Sequence, residues 1–302
     1  MWRGFFAATG VAAALLTRSV AAEAAPGLWV AKDGNSAVYL FGTVHIIEKG
    51  LDWQSPAIAQ AFAASSKLWL EVPNPDDQQS AQGLIRAYGF DRAHPLSTKL
   101  SPQDRAKVDA AVKAAQLPQG EAALEPMSPW LAALTLDDAL LVHSGYDPKS
   151  GVEHVLLQQA AKQQKPVFGF ETLDQQVRLF ADLKPQLQIQ MLENSLDGFE
   201  KGPAELKDMV DAWMKDDQAA LTRDIVDEIK TPLPALYQVL IVARNENWAG
   251  QIATMLKKPG VRFVAVGAGH LTGPDSVQAK LEQRGIQVEA VSGAAQMPSS
   301  GR

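Results

Sequence analysis

Two distant stretches of the chain end in the same four-residue motif, and this repetition most strongly limits the folds open to it. Residues 38–45 read VYLFGTVH and residues 262–270 read RFVAVGAGH, so an apolar run leads into Gly-x-x-His in both. Each motif precedes a predicted helix and then a second apolar strand, KLWLEV at 67–72 and QVEAV at 287–291. Repeated strand–helix–strand units are typical of parallel sheets with helices on their faces. The sequence therefore predicts an α/β fold in which two pseudo-repeated halves form a central sheet.

Four polar side chains follow the predicted strands. His45 and His270 come after the first strand of each half, and Glu71 and Glu171 close two other short strands. Because ligands in open α/β sheets bind beyond the carboxyl ends of the strands, we expect these groups to meet at one edge. The simpler alternatives are histidines that cap strand ends, a solvated Glu71, and a Glu171 that caps the following helix.

The donor atoms of this set suit a divalent metal. The chain has no cysteine, so a metal site would use histidine and carboxylate ligands. Two imidazoles and two carboxylates are ligands that Zn, Mn, Co or Fe accept. Three of them would hold the ion while one glutamate acts as general base on bound water. A role for the histidines as proton carriers remains the alternative.

The first 24 residues resemble an export signal. Arg3 precedes an apolar run over residues 5–16, and small residues lie around Ala24. A run this short falls below the ~20 residues that span a bilayer, so we expect a periplasmic or secreted protein without a membrane span after cleavage. Loss of residues 1–24 removes two arginines and one glutamate and changes the net charge from −6 to −7. That balance argues against nucleic acid as a partner.

The mature chain is expected to form one domain. Residues 25–291 carry the strand signals, and helical patterns at about 75–164 and 172–256 predict two large insertions. Residues 292–302 read as a flexible tail.

The chain resembles the TraB/PrgY/GumN family, which includes the Tiki metalloproteases. The resemblance extends from about Trp29 to Val291 and rests on six segments: FGTVHII (41–47), LWLEVP (68–73), GVEHVLLQQA (151–160), KPVFGFETLDQQ (165–176), ARNENWAGQI (243–252) and FVAVGAGHLTG (263–273).

The resemblance implies an exported metal-dependent hydrolase, a peptidase acting on a peptide or protein substrate. It implies a divalent ion (Mn, Co or Zn) held by His45, His270, Glu71 and Glu171. By the same resemblance, Glu71, Glu171 and Arg244 would be the catalytic residues.

Two other functions are compatible with the sequence. By resemblance, proteins of the TraB/PrgY branch look like regulators. This suggests a periplasmic protein that binds or sequesters a peptide or small ligand without turnover. The second of these functions is that of a haem- or iron-handling protein, although no Cys-x-x-Cys-His motif is present.

Overall fold

A computed structural model describes residues 25–75 and 77–291 of the protein. The predicted export signal (1–24) and tail (292–302) lie outside these residues. In the described part, six strands form a mixed sheet: β1 Leu28–Asp33, β2 Ser36–Thr43, β3 Lys67–Leu70, β4 Val167–Gly169, β5 Gly260–Gly267 and β6 Val288–Ala290.

β1 and β2 form an antiparallel hairpin. Asp33 pairs with Ser36 across a two-residue turn in which Gly34 has a φ of +52°. The Asp-Gly sequence favours such a turn because glycine adopts positive φ without strain.

The strand order is β4-β3-β5-β2-β1-β6, so β5 lies between β2 and β3 and is parallel to both. The two predicted strand–Gly-x-x-His–helix–strand halves are confirmed as β2-to-β3 and β5-to-β6. In the second half, however, β6 pairs antiparallel with β1 at the far edge instead of lying beside β5. Because β2 already pairs with one side of β5 and β3 with the other, the returning strand reaches the open side of β1.

Thirteen α-helices occur in the described residues: α1 Pro56–Ala64, α2 Gln78–Tyr88, α3 Pro102–Ala114, α4 Pro129–His143, α5 Val152–Lys162, α6 Leu173–Ala181, α7 Pro185–Leu196, α8 Gly202–Met214, α9 Gln218–Leu221, α10 Glu228–Lys230, α11 Pro234–Tyr237, α12 Ala243–Leu256 and α13 Val277–Glu282. Three of them, α1, α3 and α4, begin at a Ser-Pro pair. Ser55, for example, caps α1 with its hydroxyl and Pro56 follows at the first helical position.

The sheet has helices on both faces. Phe41 and Phe263 pack on one face against α1, α5 and α8, whereas Leu40 and Val264 pack on the other against α12 and α13. A separate apolar cluster without strand residues joins α3, α4 and α7. None of the helices in the described ranges is long and apolar enough to cross a membrane.

The predicted helical region 172–256 is more broken than its sequence indicates. Two short π-helical segments, Thr222–Asp227 and Gln238–Val242, interrupt the α-helical pattern. The second leads directly into α12, and such segments are frequent near functional sites.

Candidate functional site

Four neighbouring strand ends bring the site together. At the carboxyl edge the strands lie in the order β4, β3, β5, β2, and the polar residues that follow them are, in the same order, Glu171, Glu71, His270 and His45. The register of β2 and β5 pairs Thr43 with Gly267, so the two Gly-x-x-His segments leave adjacent strands one residue apart.

The guanidinium of Arg244, the second residue of α12, joins the two carboxylates. Its Nε donates to both oxygens of Glu171 at 3.0 and 3.2 Å, and its Nη2 donates to Glu71 Oε2 at 2.6 Å. Nη1 donates to the carbonyl of Leu240, in the π-helical segment before α12, at 3.1 Å. The three charged side chains are about nine-tenths buried. Arg244 therefore holds two buried carboxylates with one cation.

His270 is a neutral histidine with a defined tautomer. Arg244 Nη1 lies 2.9 Å from its Nε2, and since a guanidinium only donates, Nε2 accepts. Nδ1 therefore carries the proton and donates to Asn245 Oδ1 at 2.6 Å. Burial lowers the pKa of His270 to about 3, which keeps the ring uncharged at neutral pH. Trp248 packs against the ring with centroids 4.4 Å apart.

Glu71 is ionised although it is buried. Burial by itself would raise its pKa, but the surrounding imidazoles and the Arg244 guanidinium outweigh burial and lower the pKa to about 2. The backbone N–H of Gly267 donates to Oε1 at 2.9 Å, and Gln176 Nε2 donates to Oε2 at 3.0 Å. Both oxygens are thus fixed in place.

His45 differs from His270 in exposure and charge. Its side chain is 67% exposed, and its Nδ1 lies 2.8 Å from Glu153 Oε1. The carboxylate of Glu153 raises the pKa of His45 to about 9, so the ring is an imidazolium at neutral pH. Thr43 also donates to Glu153 Oε1, which fixes the carboxylate beneath the ring.

The two histidines and Glu71 border one small space beside Gly267. A β-carbon at position 267 would lie 3.2 Å from Glu71 Oε1, 3.7 Å from His45 Nε2 and 3.7 Å from His270 Cδ2. Glycine at this position therefore keeps open the space between the groups that the sequence predicts to act together.

The side chains at this edge have the donor atoms of a metal site, but they are not spaced closely enough around one point. Within residues 25–75 and 77–291, no three His, Asp or Glu side chains stand close enough to hold an ion. Arg244 lies between the glutamates and occupies His270 Nε2, and Glu171 is bonded to Arg244 and to Trp248 Nε1 at 3.1 Å. The remaining set of His45, Glu71 and His270 has the donor atoms that a divalent ion prefers. In this arrangement Glu171 anchors Arg244 and does not face the space beside Gly267.

Several residues of the site are absent from the predicted set. Asn245 and Trp248 lie in the same ARNENWAGQI segment as Arg244, and the i, i+4 spacing of Arg244 and Trp248 places both on one helix face. Trp248 is fully buried and also donates to Glu171. Glu153 is brought to His45 by tertiary folding, and no local spacing indicates that contact.

The site thus consists of two Gly-x-x-His histidines and a buried Arg–Glu cluster at the carboxyl edge of an α/β sheet. This combination defines the class of protein. The chain belongs to the TraB/PrgY/gumN family, whose model matches residues 27–290.

The relatives are bacterial proteins. An uncharacterized protein of Treponema pallidum (strain Nichols) is 26% identical over 269 residues, covering 82% of this chain and 78% of that protein. The uncharacterized protein YbaP of Escherichia coli (strain K12) is 29% identical over 144 residues, which cover 48% of this chain and 52% of YbaP. The match thus spans about half the length of YbaP. No solved structure matches the chain.

Proposed function

We propose that the protein is an exported hydrolase of peptide bonds that depends on a divalent metal. The observation that carries the proposal is the orientation of the two histidines. In each ring Nδ1 is bonded to a fixed oxygen, on Glu153 for His45 and on Asn245 for His270. His45 Nε2 borders the space beside Gly267, and His270 Nε2, which accepts from Arg244 Nη1, lies 3.7 Å from Glu71 Oε1.

That pattern is the usual support for metal-binding histidines. A ligating imidazole nearly always donates its other N–H to a carboxylate or carbonyl, which fixes the tautomer and the ring plane. His45, His270 and Glu71 would hold the ion here, once they come closer together than in this structure and His270 Nε2 gives up its hydrogen bond from Arg244. When bound, a divalent ion would lower the pKa of its water to near 7 and polarise the scissile carbonyl.

The remaining residues of the cluster position these three. Arg244 holds Glu71 in its ionised form and is itself oriented by Glu171. Trp248 packs against the His270 ring and donates from Nε1 to Glu171. Arg244 therefore acts through Glu71 and through His270, to whose Nε2 its Nη1 donates.

The proposal is tested by calorimetric titration of the metal-free mature chain with Mn²⁺, Co²⁺ and Zn²⁺. We expect saturable binding of one ion, lost in the double variant His45→Ala, His270→Ala. Asn245→Ala should weaken binding about 10- to 100-fold, because it removes the oxygen that orients His270. His94→Ala is the matched control, since His94 is an exposed histidine paired with Asp91 away from the sheet edge.

Turnover is measured by mass spectrometry of a defined peptide mixture incubated with the metal-loaded protein. The double histidine variant should cleave no peptide. Metal binding that persists in that variant would contradict the site. Tight peptide binding with every peptide recovered intact would instead favour the sequestering function.

A further inference from the structure

A groove of about 590 Å³ lies between α12 and the sheet, away from the histidines. Lys67 and Trp69 of β3 and Arg262 of β5 form its floor, and Gly250 and Lys258 contribute from the α12 side. Lys67 and Arg262 stand near the amino ends of their strands, whereas the histidines follow the carboxyl ends. Its volume falls in the range of small-molecule sites.

Three cationic side chains line this groove: Lys67, Lys258 and Arg262. The register of β3 and β5 places Lys67 directly beside Arg262, although like charges on neighbouring strands repel. Arg262 is only 8% exposed, and its guanidinium donates to the Ser36 hydroxyl and to the carbonyls of Pro259 and Gly260. These acceptors are neutral, so they fix the guanidinium without supplying a counter-charge.

No carboxylate of the described residues forms an ion pair with these cations. Neither Lys67, Lys258 nor Arg262 has a carboxylate oxygen within 4.0 Å, the distance that defines an ion pair. Glu246, the acidic residue of the groove, is paired with Arg284. In a chain with a net charge of −6, this concentration of positive charge points to an anionic ligand.

The floor of the groove also carries an aromatic ring, that of Trp69. Trp69 stacks on Phe168 with centroids 5.1 Å apart, and Phe168 is one of the exposed large hydrophobic residues, 37% accessible. The Lys67 ammonium lies 5.2 Å from the Phe168 ring centroid. An apolar ligand body would find a flat surface here beside the cations.

Gly250 gives a second, independent indication. Glycine inside a helix is less stable than alanine, and the fold provides no steric reason for it at this position, because no atom lies within 4 Å of a β-carbon built there. A helical glycine that faces an open groove allows a ligand to approach the backbone closely.

We propose that this groove binds a small organic anion, with its phosphate or carboxylate among Lys67, Lys258 and Arg262 and its ring on Trp69 above Gly250. The site is separate from the proposed metal site and does not depend on it.

Calorimetry of the mature chain with phenyl phosphate, phenylacetate and benzyl alcohol tests the proposal. We expect saturable binding of at least one of the two anions and none of the neutral alcohol, and the tighter anion identifies the charged group. Lys67→Gln and Lys258→Gln should each weaken binding about tenfold, because each removes a charge-assisted hydrogen bond. Lys257→Gln should leave it unchanged, since Lys257 is exposed and lies outside the groove.

A second experiment tests the same proposal by blocking the groove with a larger side chain. Gly250→Leu should remove binding, whereas Gly83→Leu, at a helical glycine of α2 that also faces open space, should not. Circular dichroism and urea unfolding confirm that both variants fold.

Anion binding that survives in Gly250→Leu and in Lys67→Gln would overturn the proposal. Absence of binding at millimolar ligand would also overturn it. Inorganic phosphate is titrated as well, and an affinity equal to that of phenyl phosphate would overturn the role of Trp69. The His45→Ala, His270→Ala variant should bind the anion normally, which separates this result from the metal test.

Discussion

His45 and His270 leave neighbouring strands through the same motif, yet their environments set opposite charges. His45 is exposed and lies against the Glu153 carboxylate, which raises its pKa to about 9. His270 is sealed beneath Trp248 and Arg244, and burial lowers its pKa to about 3. A charged and a neutral imidazole therefore stand beside the ionised Glu71.

Glu153→Gln should return the pKa of His45 toward its ordinary value of 6.5, because the amide keeps the shape of the side chain and removes its charge. Histidine titration by NMR measures this directly. Asp91→Asn, which removes the carboxylate beside the exposed His94, is the control and should leave the His45 titration unchanged.

The same pair predicts a pH dependence of stability. A folded-state pKa raised from 6.5 to about 9 stabilises the folded protein below pH 6.5, and this contribution is lost as the pH rises toward 9. The free energy of unfolding of the wild type should therefore fall over that window, and the fall should be smaller in Glu153→Gln. Equal slopes for the two proteins would show that the carboxylate does not hold the proton on His45.

At the scale of elements, α12 connects the site with the groove. Its first turns carry Arg244, Asn245 and Trp248 toward the sheet edge, and Gly250 follows on the groove. The helix starts from the π-helical segment Gln238–Val242, whose Leu240 carbonyl receives a hydrogen bond from Arg244. The start of the helix and the position of the guanidinium are thus fixed together.

Gly250→Ala should stabilise the protein by about 0.5–1 kcal/mol, because alanine is the better helix former and its methyl group enters open space. Urea unfolding monitored by circular dichroism measures the change. Gly89→Ala should have the opposite sign, since its β-carbon would lie 2.6 Å from a Leu131 methyl and 2.7 Å from the Ile85 carbonyl oxygen. A loss of stability in Gly250→Ala would mean that the groove is not open at this point.

At the scale of the whole molecule, the Arg244 cluster ties separate parts of the chain to one another. Its carboxylates follow β3 and β4, its guanidinium comes from α12, and Gly267 at the end of β5 donates to Glu71. The charges are buried, so each depends on its partners.

Arg244→Met should lower the free energy of unfolding by about 3–5 kcal/mol, because it leaves two buried carboxylates without a counter-charge. The combined variant with Glu71→Gln and Glu171→Gln should recover part of the loss. Arg178→Met is the control, since Arg178 forms an exposed i, i+4 pair with Asp182 whose loss should change the free energy of unfolding far less. Urea unfolding at pH 7 that gives equal losses for the two single variants would rule out a structural role for the cluster.

The sequence by itself determined the local features of this protein. Apolar runs, an Asp-Gly turn and Ser-Pro helix starts mark the hairpin, the strands and several helix starts because these signals act between near neighbours. The same patterns place His45, Glu71, Glu171 and His270 at strand ends. The π-helical segments that interrupt residues 172–256 have no comparable local signal.

Only the tertiary structure decided what those strand-end residues contact. The insertion of β5 between β2 and β3, and the placement of β6 beside β1, follow from pairing between distant strands. The contact of Glu153 with His45 and the central position of Arg244 arise in the same way. The opposite charges of the two histidines follow from burial and from neighbouring carboxylates, and both are properties of the packed chain, since a linear sequence does not contain the distances between charges.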